Sequence, residues 1–407
     1  MTTRIAPASS AQPPRRARRR TALALLVVAA GVVAAACGGS ASTADTEANS
    51  ATATSPAATT EPAPETTAAS DTTVVAQGAW ETVEAPADCM CSDGAPFEFY
   101  VREADPTKVV FFLEGGGACF SAATCAPESN TFKRTAQLPD DLANGTDDLA
   151  NGTGDGIWSE SNPDNPIAGW SVVYVPYCTG DVHIGNATTD YGDGLVMQHK
   201  GYANASAALG MLAYRFPSAT ELLVTGESAG SVPAPLYAGM ASDLLPDARI
   251  TVLADGSGAY PDVPAINNVI GSLWGTMNAV PDWPVNEGMT VERWSLPGLF
   301  VQAAAHAPDI VFARHDFAFD ETQVFFAGLA GIPADDLVQL IDRNETQVEA
   351  GGMSLWSFIS PGDEHTILHR ADFYTHEVEG VRLVDWVRAL LAGEPVVDVH
   401  CVECTVG

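Results

Sequence analysis

The sequence predicts an α/β fold, a mostly parallel β-sheet with helices on both faces. Three observations carry this. Short apolar, β-branched runs alternate with helix-patterned stretches from about residue 97 onward, the pattern of strands buried on both faces. One such run, Leu222–Thr225, leads into Gly226-Glu227-Ser228-Ala229-Gly230, a G-x-S-x-G sequence that turns sharply from strand to helix with the serine at its apex. Another, Lys108–Leu113, leads into Glu114-Gly115-Gly116-Gly117. In sheets of this kind chemistry gathers at the carboxyl ends of the strands.

The chain of 407 residues carries 19 Lys and Arg against 51 Asp and Glu. Six arginines (Arg4, Arg15, Arg16, Arg18, Arg19 and Arg20) and no acid precede residue 37, so the remainder holds 13 basic residues and a formal charge of −38. Such a surface repels nucleic acid and anionic membranes. Residues 1–37 read as an export leader. Arg18-Arg19-Arg20 precede the apolar run Thr21–Ala36, which is short for a spanning helix. Small residues followed by Cys37 and two glycines resemble a lipoprotein cleavage site, with Cys37 taking the lipid. That lipid would be the only link to a membrane. Ordinary cleavage with full secretion is the alternative, and the paired arginines leave a twin-arginine route open. Residues 38–78 are built from Ala, Thr, Ser, Pro and Glu, too little apolar surface to fold, and read as a disordered tether. A single catalytic domain is expected over 79–407, starting near Trp80.

Within it, Phe97–Arg102 reads as a first strand, Asp105-Pro106-Thr107 as a turn, and the apolar Lys108–Leu113 as a central strand. Residues 120–169 are polar and turn-rich, and include a tandem of seven, DLANGTD then DLANGTG. One duplication is a loop insertion, not a repeat architecture, and its spacing fits no calcium loop. Trp170–Pro176 is the next strand. Gly201–Phe216 has helical spacing of Ala205, Ala208, Leu209 and Leu212 before Pro217 ends it. After the elbow come strands Arg249–Ala254, Asp309–Arg314 and Leu355–Ile359, with helices at Asp320–Leu329 and Leu383–Leu391. Pro233 and Pro235 must fall in the first turn of the helix behind the elbow.

A serine nucleophile needs a base, a group to orient that base, and donors for an oxyanion. In sheets with this elbow the chain order is serine, acid, histidine. Of eight histidines, His365 stands in the turn-rich loop Ser360–Thr366 directly after a late strand, where an imidazole would be carried over the sheet. His369, one helical turn on, reads as a surface residue. The acid must lie between the two, at Asp255, Asp262, Asp282, Asp309, Asp316 or Asp320. Asp255 comes early and also suits a plain turn, and position alone does not separate Asp316 from Asp320. The amide of Ala229 and one in the glycine run would hold the oxyanion.

Together Leu113–Cys119, Tyr177-Cys178, the elbow, Phe319-Asp320-Glu321-Thr322-Gln323 and His365 resemble the pectin acetylesterase family, which includes the Notum carboxylesterases. The likeness spans most of Trp80–Cys404. It implies an α/β-hydrolase-like fold and hydrolysis of carboxylic esters by Ser228, His365 and Asp320 without cofactor or metal, with the amides of Gly116, Gly117 and Ala229 as oxyanion donors. The chain departs from many relatives in carrying Gly117 and Ala118 where a Trp is usual, and its elbow also looks like that of general carboxylesterases.

Beyond Cys37 seven cysteines remain, and an exported protein keeps disulfides. Cys119 and Cys125 are expected to pair and stiffen the loop after the glycines. Cys401 and Cys404 are expected to reach Cys89 or Cys91, and an odd count leaves one thiol over. A zinc site from those four has poor spacing. The reading is an exported serine esterase, lipid-anchored or secreted, acting on O-acetyl groups of a carbohydrate or another small ester. The alternatives are a general carboxylesterase acting on acyl chains and a non-catalytic carbohydrate-binding lipoprotein.

Overall fold

The computed structural model describes residues 78–139, 142, 156–402 and 404–406. The leader with Cys37, the tether through residue 77 and, apart from Leu142, the tandem heptads lie outside them.

Nine strands form one sheet in the order β1 (Glu81–Glu84), β2 (Glu98–Arg102), β4 (Trp170–Val175), β3 (Asp105–Leu113), β7 (Glu221–Glu227), β8 (Arg249–Asp255), β9 (Val311–Phe317), β10 (Trp356–Ser360) and β13 (Val399–His400). Two hairpins stand apart, β5 (Ala187–Asp190) with β6 (Val196–His199) and β11 (Glu377–Val378) with β12 (Val381–Arg382). The pairs from β4 to β13 are parallel, and β1–β2 and β2–β4 are antiparallel.

Alternation along each strand feeds two cores. In β3, Val109, Phe111 and Leu113 face one core and Val110 and Phe112 the other. Helices Gly201–Arg215, Ala234–Leu244 and Leu296–His306 cover the first face through Leu209, Leu236 and Leu299. Helices Glu321–Leu329, Leu337–Ala350 and Leu383–Ala392 cover the second through Ala327, Ile341 and Leu390.

The predicted turn at Asp105–Thr107 is instead the start of β3. Asp105 pairs with Trp170, and the register slips between Asp105 and Val109. The Asp105 carboxylate takes the Thr107 amide at 2.9 Å, so turn chemistry is absorbed as a bulge. β1 was not expected, because its residues are mostly exposed and show no apolar face.

The elbow fits only with glycine at its flanks. A Cβ on Gly230 would stand 2.0 Å from the Leu113 carbonyl oxygen, and one on Gly226 would stand 2.5 Å from it. Gly230→Ala therefore forces the elbow away from β3 and is expected to cost at least about 3 kcal/mol. Gly210→Ala, on a helix with nothing within 4 Å of the new methyl, is expected to be neutral or to stabilise by up to about 1 kcal/mol. Urea midpoints of the two variants check the contrast; equal midpoints would contradict it.

The disulfides are Cys119–Cys125, Cys91–Cys178 and Cys401–Cys404, with Cys89 buried and free. Cys401 and Cys404 do not reach Cys89 or Cys91. Cys401 follows β13 at one edge of the sheet, whereas Cys91 is tied beside β4 near the other, where the Ser92 amide donates to the Cys178 carbonyl at 3.0 Å. Of the four cysteines weighed for zinc, Cys91, Cys401 and Cys404 are in disulfides and offer no thiolate, and Cys89 alone is free.

Candidate active site

β7 ends in the elbow, and Ser228 at its apex has φ of 52°. That left-handed backbone is uncommon outside glycine. The short helical turn Ser228–Gly230 and the helix from Ala234 follow, and Pro233 and Pro235 take early positions that need no amide donor.

The glycine run passes alongside. Leu113 pairs with Gly226, so the residues leaving β3 lie beside those leaving β7. A Cβ on Gly115 would stand 3.0 Å from the Ser228 Cβ. Gly116 and Gly117 have φ of 151° and 75°, and a methyl on Gly117 would meet the Thr131 carbonyl oxygen at 2.1 Å. The Lys133 amide donates to the Gly116 carbonyl at 2.8 Å, and the Ala118 amide donates to Thr131 at 3.1 Å. Among the described residues no carbonyl takes the amides of Gly116, Gly117 or Ala229.

The loop is held from beneath by Glu114. Its buried carboxylate accepts from Lys133 Nζ at 2.7 and 2.8 Å and from the Tyr177 amide at 2.8 Å. Its carbonyl lies 2.8 Å from His183 Nε2. Burial pushes the Glu114 carboxyl up, and Lys133 opposes the rise. Sequence reasoning gave Glu114 and Lys133 no role; an acid directly before three glycines was the available signal.

His365 leaves β10 on a loop whose Gly362 has φ of 113° and whose Thr366 has φ of 65°. Its Nδ1 lies 2.7 Å from Asp320 Oδ2. Asp320 is fully buried and caps the helix Glu321–Leu329, accepting from the Gln323 amide at 2.9 Å. Gln323 Nε2 donates at 3.1 Å to Asp320 and at 2.9 Å to Asp316. Asp316 thus lies at 0 % exposure within the same network, yet Asp320 is the carboxylate that meets the imidazole. Burial alone would push His365 down, but the hydrogen bond and charge of Asp320 and the charges of Asp255 and Glu227 carry it above the usual imidazole range.

Strand register sets the residue under this imidazole beside the elbow. Glu227 pairs with Asp255 across β7 and β8, so Ser228 and Gly256 leave neighbouring strands together. The imidazole packs over Gly256, where a Cβ would lie 3.4 Å from His365 Cε1. His365 Nε2 is buried without a hydrogen-bond partner among the described residues. His369 is not a loose surface residue, since its Nδ1 lies 2.6 Å from Glu227 Oε2 and its ring packs on Trp158 and Phe112.

A second Asp–His–Ser array exists. Asp255 Oδ1 lies 2.8 Å from His315 Nδ1, and His315 Nε2 lies 2.9 Å from Ser360 Oγ. Ser360 is 0 % exposed and is not among the residues lining the cavity at the elbow. Ser228, by contrast, lines a cavity of about 70 Å³ walled by Phe120, Val182, Val232, Ile270, Trp274 and Phe326.

The family model for pectinacetylesterase matches residues 72–277 of this chain. The chain belongs to the pectinacetylesterase family. The match includes the glycine run and the elbow; Asp320 and His365 lie beyond it. Palmitoleoyl-protein carboxylesterase notum2 of Xenopus laevis is 36% identical over 101 residues, 24% of this chain and 19% of that protein. Palmitoleoyl-protein carboxylesterase NOTUM of Mus musculus is 27% identical over 223 residues, 50% of this chain and 40% of that protein. The inactive palmitoleoyl-protein carboxylesterase notum1b of Danio rerio is 34% identical over 99 residues, 24% of this chain and 66% of that protein. Each match spans less than two thirds of the relative. The crystal structure of the Wnt deacylase Notum from Drosophila superposes with TM-score 0.56 at 16% identity, covering 80% of this chain and 97% of that one. At that identity the likeness speaks to the fold, which is α/β-hydrolase-like, as the sequence led one to expect.

Proposed function

We propose that this family member is an exported serine esterase, with Ser228 as nucleophile, His365 as general base and acid, and Asp320 as the group that orients the imidazole. The observation that carries the reading is the hydrogen bond between buried Asp320 and His365 Nδ1, on a ring packed over the residue next to the elbow. Ser228 Oγ attacks the ester carbonyl carbon while its proton passes to His365 Nε2. The oxyanion is held by the amides of Gly116, Gly117 and Ala229, each donor worth roughly 3–4 kcal/mol when lost. The C–O bond to the alcohol then breaks, and His365 returns the proton to the departing oxygen. Water repeats the steps on the acyl-serine, releasing the acid and restoring the hydroxyl.

The acyl group is the part of the substrate the cavity addresses. Its walls are apolar and carry no charged side chain. At about 70 Å³ it is roughly half the size of a cavity that takes one benzene ring. That favours a short acyl chain over the long one in the vertebrate relatives' names. A small neutral alcohol or an acetylated neutral sugar suits the acidic surface better than de-esterified pectin, a polyanion. Residues 1–37 act in this reading as the export leader with Cys37 as lipid site, 38–78 as the tether and 79–407 as the catalytic domain. The disulfides Cys91–Cys178 and Cys119–Cys125 support an oxidising compartment.

A panel of p-nitrophenyl esters tests the acyl pocket. The expected kcat/KM peaks at butyrate or hexanoate and falls at least about tenfold by the sixteen-carbon ester, each lost contact being worth 1–3 kcal/mol. Acetate release from acetylated xylan and pectin, measured alongside, tests the second reading. A maximum at acetate with faster release from polysaccharide would replace the short-chain assignment with the O-acetyl one.

A further inference from the structure

We infer that Asp255 is a positioning residue for the reaction, fixing at both ends the loop that carries His365. This rests on the esterase reading above. Asp255 is the last residue of β8 and is fully buried. Its Oδ2 accepts from the amides of Ile367 at 2.8 Å and Leu368 at 3.0 Å, two and three residues past the base. Its Oδ1 lies 2.8 Å from His315 Nδ1, and the far nitrogen of that ring lies 2.9 Å from the hydroxyl of Ser360, the residue from which the loop departs. One carboxylate therefore holds the loop directly at its end and through an imidazole at its start.

The donors and acceptors are consistent. With the Nδ1–H of His315 given to Asp255, Nε2 is left to accept the Ser360 hydroxyl hydrogen. Ser360 Oγ then accepts from His376 Nε2, 2.8 Å away. The backbone adds that the Ala318 amide donates to the Ser360 carbonyl at 2.8 Å and the Phe319 amide to that of Gly362 at 3.0 Å, so the segment before Asp320 is docked on the same loop. Asp320 and His365 are brought to hydrogen-bonding distance by a frame whose buried anchor is Asp255. Asp255 also adds its charge to those of Asp320 and Glu227 around the imidazole and so favours the protonated ring.

Asp255→Asn removes the charge and puts an amide NH₂ among groups that all donate. With p-nitrophenyl butyrate the expected loss is about 10–100-fold in kcat, up to the scale of a roughly 1 Å misplacement of a reacting group, with KM within about twofold. The acidic limb of kcat/KM should move to lower pH, and imidazole NMR should report a lowered His365 pKa with an unchanged far-UV spectrum. Ser360→Ala, which cuts the link to the start of the loop alone, should lose kcat by a smaller factor and leave the acidic limb in place; it serves if Asp255→Asn does not fold. A folded Asp255→Asn with wild-type kcat and limb would overturn the inference, as would a wild-type Ser360→Ala where Asp255→Asn fails to fold. Turnover surviving in Ser228→Ala would instead overturn the esterase reading beneath it, so the two failures are told apart.

Discussion

Ser228→Ala is expected to lower kcat for p-nitrophenyl esters by about 10⁶, the scale seen when a serine nucleophile is removed, while the protein unfolds at the same urea concentration as the wild type. The first half follows from the mechanism. Without the hydroxyl no acyl-serine forms, and what remains is the oxyanion cradle acting on water, about 10³–10⁴ over the uncatalysed rate. The second half follows from the elbow. The Ser228 hydroxyl makes no hydrogen bond among the described residues, and the bond that closes the turn runs from Ser231 Oγ to the Ser228 carbonyl at 2.7 Å. Alanine inherits the same positive φ and loses no packed group, so stability should stay within about 0.5 kcal/mol. A fluorophosphonate probe makes the test independent of substrate choice. It should label wild type at Ser228 and leave Ser360 untouched, although Ser360 also sits in an Asp–His–Ser array. The family includes at least one relative named as inactive, so failure of the probe on folded wild type would favour a non-catalytic binding role.

What was legible in the sequence is what chain-local rules encode. The elbow, the triple glycine, and the strands around them follow from residues adjacent in the chain, and Gly226 and Gly230 are required by contacts of 2.5 and 2.0 Å with one carbonyl. Helices at Pro264–Trp274, Leu296–His306 and Leu337–Ala350 were not expected. The second carried a signal, since Ser295 caps it and Pro297 stands in its first turn, but its nearly unbroken apolar run hides the helical period. The long-range partners were not legible at all. Asp255 reads as a turn residue by its neighbours Gly256, Ser257 and Gly258, and its work is done at Ile367, 112 residues away. Cys91 finds Cys178 across 87 residues because β2 and β4 adjoin. Asp316 and Asp320 look alike in the chain and are both buried. Strand end separates them: Asp316 is inside β9, tied to Gly258 and Gln323, whereas Asp320 has passed it and caps the next helix.

That separation makes Asp320→Asn the sharper probe of the base, with an expected loss of about 10⁴ in kcat, the scale known for replacing the orienting carboxylate by its amide. The carboxylate accepts the Nδ1–H of His365 at 2.7 Å, which leaves Nε2 bare to take the serine proton. An asparagine can turn its NH₂ toward Nδ1, and the imidazole then carries its hydrogen on Nε2, where it blocks the transfer. The change is isosteric, and the side-chain oxygen still takes the Gln323 amide that starts the helix, so the cap is kept. Loss of the negative charge also removes the attraction that raises the imidazole, so the acidic limb of kcat/KM should fall below its wild-type position. The direction matters: activity needs the neutral ring, so a lower pKa by itself widens the active range, and a large loss at every pH can only come from the misplaced proton. Asp316→Asn alters a carboxylate that burial already pushes up and that does not bond the imidazole, and should cost at most about tenfold. If Asp320→Asn kept activity within tenfold of wild type while Asp316→Asn lost it, the orienting carboxylate would be Asp316 and the contact between Asp320 and His365 would be structural.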